Sequence, residues 1–340
     1  MPRILLTYPP SSVNTWYGEK AMSELADLGE LVLSPKDGVL SEDELIELAS
    51  NCDLIISDKP TAGTERLFRE VPSLLAYIRC AMDTKSIDID AASRHGVLVT
   101  QAGPGFTHAV SEWIIAQMIN LARSLPHYFS AYQHGQIPTQ RMGSQLAGST
   151  AGIIGFGNIA TAVAPVLRAL GVKILAHDPY LTDSPDGVEA VDLDTLLERS
   201  DQVICLARHS VETDNMANAA FFAKMKPGAF FINASRGGLV DEAALADALA
   251  CGHLAGAAID VGRGHDDHPT ATLAQRPDII ATPHIGGMVP EAIIYQVFRT
   301  VQQARSILAG SIPEGSLNPD DARRLTTRGR WMQTQSHQTT

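Results

Sequence analysis

The sequence predicts an α/β protein built from two doubly wound parallel sheets. Short runs rich in Val, Ile and Leu alternate with longer stretches of helical periodicity almost throughout, the pattern of parallel strands covered by helices on both faces. The alternation comes in two series, parted by one long amphipathic stretch from Thr107 to about Gln133. A chain of 340 residues also exceeds the usual size of one domain and suits two.

In the first series the strand candidates are Arg3 to Thr7, Leu31 to Leu33, Leu54 to Ser57, Leu75 to Arg79 and Val97 to Thr100, separated by helices such as Ser41 to Ala49. Next, Val110, Trp113, Ile114, Gln117, Met118 and Leu121 fall on one face of a single long helix, which is expected to bridge two domains. The second series begins at Thr150, with candidates Ala151 to Ile154, Lys173 to His177, Gln202 to Leu206, Ala229 to Asn233, Ala257 to Val261 and Ile279 to Thr282. Pro290 sits where a helix start tolerates it, and the apolar pattern from Ile293 to Leu308 is helical until Gly310 stops it. That helix is expected to return to the first domain. The expected domains are therefore 1–104 with 290–315, and 105–289. The polar stretch 316–340 is expected to be a mobile tail.

Composition excludes some partners. With 26 Lys and Arg against 38 Asp and Glu, the net charge of −12 repels a phosphate backbone and an anionic bilayer surface. Neither nucleic acid nor membrane is an expected partner. Cys52, Cys80, Cys205 and Cys251 are scattered within or beside apolar runs, without a Cys-x-x-Cys pair, and read as buried thiols of a reducing compartment rather than metal ligands. Ile4-Leu5-Leu6 is too short for the core of a signal peptide, and no apolar stretch approaches the roughly 20 residues of a membrane span. A cytoplasmic protein without a metal is the expectation.

The second series opens on Ile153-Ile154-Gly155-Phe156-Gly157-Asn158-Ile159-Ala160, a strand entering a tight glycine turn and leaving as a helix. Gly155 permits the turn, Gly157 lets backbone approach a pyrophosphate, and the helix start offers unpaired N–H groups to the anion. Ala160 stands where a third glycine is usual and still allows close helix–strand packing. Asp178 follows at the end of the next strand, where a carboxylate accepts both ribose hydroxyls of adenosine and repels a 2′-phosphate. NAD is thus expected over NADP, although Arg208, in a loop expected near the adenosine, keeps NADP open.

Two further strand ends carry chemistry. Asn233-Ala234-Ser235-Arg236-Gly237-Gly238 places one arginine at the end of a strand, followed by glycines that keep bulk away, and a guanidinium grips a carboxylate with two parallel hydrogen bonds. Thr282-Pro283-His284-Ile285-Gly286-Gly287 repeats the arrangement with a histidine, which near neutral pH can give a proton to a carbonyl and take it back. Taken singly, a loop histidine is more often structural and an arginine more often a surface cap. Their weight comes from the succession of turn, arginine and histidine at strand ends of one sheet.

With Met225-Lys226-Pro227-Gly228-Ala229 and Ala258-Ile259-Asp260-Val261, these segments resemble the D-2-hydroxyacid dehydrogenase family, which includes phosphoglycerate dehydrogenase and glyoxylate/hydroxypyruvate reductases. The resemblance covers nearly everything from Arg3 to about Leu308. It implies a Rossmann NAD-binding domain inserted in a smaller, flavodoxin-like substrate domain, a homodimer built on the long helix, and hydride transfer between nicotinamide and a small 2-hydroxy or 2-keto acid. It implies further that Arg236 holds the substrate carboxylate, that His284 is the acid/base and that Asp260 contacts the nicotinamide side. The expected cofactor-binding set is Gly155, Gly157, Asn158, Ile159, Asp178, Ala234, Asp260, His284 and Gly287.

Two departures from the family pattern stand out. A glutamate that bonds to the catalytic histidine and keeps it protonated is usual in the family, and by spacing that position is His265, which cannot supply a negative charge. Asp266 and Asp267 follow at once, and a rearranged loop would let Asp266 take the role. The family's glycine-rich substrate turn is replaced by Arg79-Cys80-Ala81-Met82-Asp83-Thr84, so Ala81 and Met82 are expected to narrow the substrate site. The missing glutamate also leaves room for an NAD(H)-sensing, corepressor-like binding protein. A formate- or phosphite-type dehydrogenase is a third reading.

Overall fold

The computed structural model describes residues 1–327. Two compact units divide the chain, Met1–Gly105 with the chain from Pro290 onward, and Phe106–Val289.

The first unit runs β1 (Arg3–Leu6), α1 (Pro10–Trp16), α2 (Gly18–Ala26), β2 (Glu30–Leu33), α3 (Glu42–Ala49), β3 (Leu54–Ser57), α4 (Glu65–Glu70), β4 (Ala76–Arg79), α5 (Ile89–His95) and β5 (Leu98–Gln101). The five strands are all parallel in the order β2-β1-β3-β4-β5, the flavodoxin-like order. Successive strand residues point to opposite faces, so a sheet covered on both sides needs apolar residues at every position. On β1 and β3, Leu5 and Ile55 join one core with Leu45, Phe68 and Val99, while Ile4, Leu6, Leu54 and Ile56 join the other.

The second unit contains α6 (Thr107–Arg123), α7 (Leu125–Gln133), β6 (Thr150–Ile154), α8 (Asn158–Ala169), β7 (Lys173–His177), β8 (Val188–Ala190), α9 (Leu193–Arg199), β9 (Gln202–Cys205), α10 (Ala219–Lys224), β10 (Phe230–Asn233), α11 (Glu242–Ala250), β11 (Gly256–Ile259), α12 (Ala271–Ala274) and β12 (Ile279–Ala281). Its seven parallel strands are ordered β12-β11-β10-β9-β6-β7-β8, which reverses direction between β9 and β6. Doubly wound sheets bind their ligands beyond the strand ends at such a reversal. Strand β8 was not among the sequence candidates, and its three residues contribute only Val188 to the core.

The predicted long helix is broken. Ser124 takes a left-handed conformation (φ +51°) between α6 and α7, because Pro126 has no N–H to continue the ladder. The freed carbonyl of Ala122 accepts instead from the Ser144 N–H at 2.9 Å. Within its own unit α6 packs on α8, with Val110, Ile114, Met118 and Leu121 buried.

After the second unit, α13 (Pro290–Leu308) packs on α2 and β4 of the first. The chain beyond it corrects the expected mobile tail, because residues 316–327 are packed. Leu317 N–H donates to Val99 O at 2.9 Å, and Ala322 and Leu325 are buried at 1% and 2% exposure. Side chains that read as solvated close backbone ends here: Asn318 bonds Val99 N–H and Val97 O, and Arg324 donates to the carbonyls of Phe68, Val71 and Leu74 at the end of α4 and just beyond it. The rest of that expected tail, 328–340, lies outside the described residues. A second correction concerns the thiols: Cys52, Cys80 and Cys205 are buried but Cys251 is exposed. Among the described residues no helix is long and apolar enough to cross a membrane.

Candidate active site

Gly155 follows β6 with φ +86°, and a side chain there would lie 2.7 Å from Ala207 N and 2.8 Å from Ala207 Cα. Both conformation and crowding therefore demand glycine. Gly157, two residues on, is the opposite case, since a Cβ would meet nothing within 4 Å. It precedes α8, whose first turn has no side-chain cap, so the N–H groups of Asn158 and Ile159 at the helix start are left for an anion. Ala160 is buried in the core that α6, α8 and the sheet share. This open cradle at a helix start suits a pyrophosphate.

Asp178 stands one residue past β7. Its Oδ2 accepts from Phe156 N–H in the glycine turn at 2.6 Å, and its Oδ1 from Tyr180 N–H at 2.8 Å. Each oxygen retains a lone pair for a ribose hydroxyl. Arg208, in the loop after β9, is exposed, and its guanidinium has no partner among the described residues.

Arg236 follows β10 in extended conformation, with Ala234 half-buried two residues before it. The Asn233 side chain braces the segment by donating to Arg236 O at 3.0 Å and accepting from Ser235 N–H at 3.1 Å. Gly237 lies so close to the Gly262 backbone that a Cβ would sit 2.1 Å from it. The half-buried guanidinium donates only to Ser235 O, at 2.8 Å, leaving its other donors without a partner among the described residues.

Asp260, 4% exposed at the end of β11, organises the histidine loop. Its Oδ1 accepts from Thr282 Oγ1 at 2.6 Å and Ile285 N–H at 2.9 Å, and its Oδ2 from Gly286 N–H at 2.7 Å. His284 N–H donates to Asp260 O at 2.8 Å, and the residue is held at φ +55°. Such a conformation is costly for a residue with a side chain and persists only where its surroundings enforce it. Gly287 allows Phe106 to close on the same loop, since a Cβ there would be 2.8 Å from Phe106 Cβ.

After β11 the chain folds tightly on itself. Gly262 N–H donates to Asp267 O and Gly264 N–H to His268 O, both at 2.8 Å. Asp266 and Asp267 are both left-handed (φ +57° and +60°), a conformation that aspartate tolerates better than most residues. Asp266 is exposed and Asp267 half-buried. The imidazole of His265 is exposed, with no partner among the described residues. No group of three or more His, Cys, Asp or Glu among the described residues is placed to hold a metal ion.

Residues 115–286, half of the chain, match the model of the D-isomer specific 2-hydroxyacid dehydrogenase NAD binding domain. The chain belongs to this dehydrogenase family. The D-3-phosphoglycerate dehydrogenase of Bacillus subtilis is 36% identical over 258 residues, 74% of this chain and 48% of that protein. That of Synechocystis sp. is 32% identical over 283 residues, 82% of this chain and 51% of the relative. The chain thus spans about half the length of the curated relatives it matches. Among solved structures, D-lactate dehydrogenase with NAD+ from Lactobacillus jensenii is 25% identical, with a TM-score of 0.79 over 93% of this chain and 99% of that one.

The unit Phe106–Val289 therefore contains the family's NAD-binding domain. Gly155, Gly157, Asp178, Ala234, Arg236, Asp260, His284 and Gly287 stand on loops at the C-terminal edge of its sheet, with Asp266, and Asn158 and Ile159 open α8 at the same edge. Ala81 and Met82 belong to the other unit, half-buried just past β4. Sequence reasoning gave no role to two arginines. Arg79, fully buried, donates to Thr61 O at 2.8 Å and Ser86 Oγ at 2.6 Å and so anchors the loop of Ala81 and Met82. Arg263 ties its own loop to two others of the NAD-binding unit. The signal available was an arginine closing a strand for Arg79 and one shortly past a strand for Arg263.

Proposed function

We propose that the chain is an NAD-dependent oxidoreductase that moves a hydride between nicotinamide and the oxygen-bearing carbon of a small, anionic 2-hydroxy or 2-keto acid, with D stereochemistry. The observation that carries this reading is the half-buried Arg236 guanidinium, bound once through Ser235 O and otherwise open, on the same sheet edge as His284. Two parallel charge-assisted bonds from Arg236 hold the substrate carboxylate. Bound nicotinamide supplies or accepts the hydride. His284 gives its proton to the carbonyl oxygen in reduction and takes it back in oxidation. Asp266 is the carboxylate proposed to keep that imidazole charged, in place of the family's glutamate. Asp178, with a lone pair free on each oxygen, supports NAD over NADP. The free state of the four thiols supports work in a reducing cytoplasm. Exposed Phe129, Tyr132, Ile137 and Met142 on and after α7 support a homodimer, which light scattering tests.

The test is NADH oxidation by the purified protein against glyoxylate, hydroxypyruvate, pyruvate and bulkier 2-keto acids across pH. Arg236→Ala removes two charge-assisted bonds of about 1.5–3 kcal/mol each, so kcat/KM is expected to fall at least about a hundredfold. His284→Ala removes the proton donor, for an expected loss of about a hundredfold to ten-thousandfold. In Asp266→Asn the pH above which reduction fails is expected to move down. NADH binding without reduction of any of these acids refutes the reading.

A further inference from the structure

We propose that Arg263 is a positioning residue for Arg236, fixing the turn that follows the substrate-binding arginine; the proposal rests on the reading of Arg236 given above. Arg236 leads directly into a 3-10 turn, Gly237–Leu239, made of two glycines and a leucine. Glycines hold no conformation by themselves, so a turn of this composition needs outside support. Asn215 N–H and Ala217 N–H supply part of it by donating to Gly238 O and Leu239 O, both at 2.9 Å, and Arg263 adds side-chain bonds from the loop after β11. Its Nη2 donates to Gly238 O and to Asn215 Oδ1, both at 2.7 Å, and its Nε donates to Val240 O at 3.2 Å. Nη2 also lies 3.2 Å from Asp214 Oδ1, which in turn is 3.0 Å from His209 Nε2. The His209 ring closes the other side of the turn, since a Cβ on Gly238 would sit 2.4 Å from its Nε2.

The loops after β9, β10 and β11 therefore meet at one guanidinium. An exposed arginine facing a single carboxylate would contribute little. Here the planar fork bridges two backbone carbonyls of one turn, which the tetrahedral ammonium of lysine cannot match. Helix α11 does not depend on these bonds, because Asp241 caps it through the N–H groups of Ala243 and Ala244. Support from Arg263 falls on the turn itself. Since Gly237 also abuts the Gly262 backbone, the turn is gripped by adjacent residues of one loop, and the backbone that aims Arg236 is set by both.

The experiment compares wild type with Arg263→Met and Arg263→Lys in three readouts: KM and kcat for the best 2-keto acid, NADH dissociation by fluorescence, and amide exchange by mass spectrometry. In Arg263→Met we expect KM for the acid to rise by about tenfold to a hundredfold, the cost of a small misplacement of a binding group. NADH dissociation should stay within about twofold, because the cradle at Gly157 is untouched. Exchange should accelerate over 237–240 but not in α11. Arg263→Lys should recover only part of the KM, and methylguanidinium should restore Arg263→Ala where ammonium does not. Unchanged KM and exchange in folded Arg263→Met overturns the proposal, as does a rise in NADH dissociation parallel to KM. Should the methionine variant not fold, the lysine variant and the rescue decide by the same criteria. A wild-type protein that reduces no 2-keto acid refutes the oxidoreductase reading alone, and exchange over 237–240 still decides whether Arg263 holds the turn.

Discussion

Asp260 and Asp266 lie on the same loop system and are expected to respond oppositely to loss of charge. Asp260 is buried and accepts from two backbone N–H groups and a hydroxyl of the His284 loop. In Asp260→Asn one amide hydrogen must face the Gly286 or Ile285 N–H, losing charge-assisted bonds and adding a donor–donor clash. A destabilisation of about 2–3 kcal/mol is expected, read as a lower Tm in thermal melts. Asp266 is exposed, so Asp266→Asn should keep stability within about 0.5 kcal/mol. An equal fall in Tm for both variants would contradict this division. At this scale the sequence revealed residues whose chemistry is local: glycines that make a turn, an arginine or a histidine past a strand. Arg263 was illegible, because its value comes from carbonyls 23 and 25 residues away in sequence.

Helices were legible where their ends are written in side chains. Ser41 and Glu44 close a reciprocal capping box on α3, and Lys36 adds a salt bridge to Glu44 at 2.7 Å. Hydrogen bonding from Lys36, then from the Ser41 backbone, lowers the Glu44 carboxyl from 4.5 to about 2. A carboxyl depressed on folding stabilises the native state above its unfolded value, and that contribution is lost as pH falls from 4.5 through about 2. Lys36→Met should therefore lose less stability than wild type on acidification across this window, as urea midpoints taken at intervals will show. Identical pH slopes would remove Lys36 from the account. The break between α6 and α7 was missed because its apolar pattern continues across Pro126, and periodicity reports which face is buried, not whether the ladder is continuous. Strand β8 escaped because three residues with one buried side chain carry no period.

For the molecule as a whole, two parallel sheets could be read from alternation alone, since strands covered on both faces are written as unbroken apolar runs. What alternation could not reveal was the packing of 316–327, where Asn318 and Arg324 act through backbone groups, Ala322 and Leu325 enter one core and Leu317 packs against the other. Deleting the chain from Ser316 removes these side chains and should destabilise the first unit by at least about 3 kcal/mol. Two thermal transitions, with only one moving down, is the expected calorimetric result. A deletion that leaves both in place would show that the segment is dispensable.

The first unit is also separated in time. One face of its sheet, with Ile4, Leu6, Leu54 and Ile56, is covered by Val297, Val301, Ala304 and Ile307 of α13. Between Gly105 and Pro290 a ribosome must add the 184 residues 106–289. At the usual elongation rates this takes about 10–40 s. Through that interval the five nascent strands lack the helix that seals them, while the inserted unit can complete its own core from contiguous chain. Of the two units, the one whose strands are begun first is thus the one whose core is sealed second.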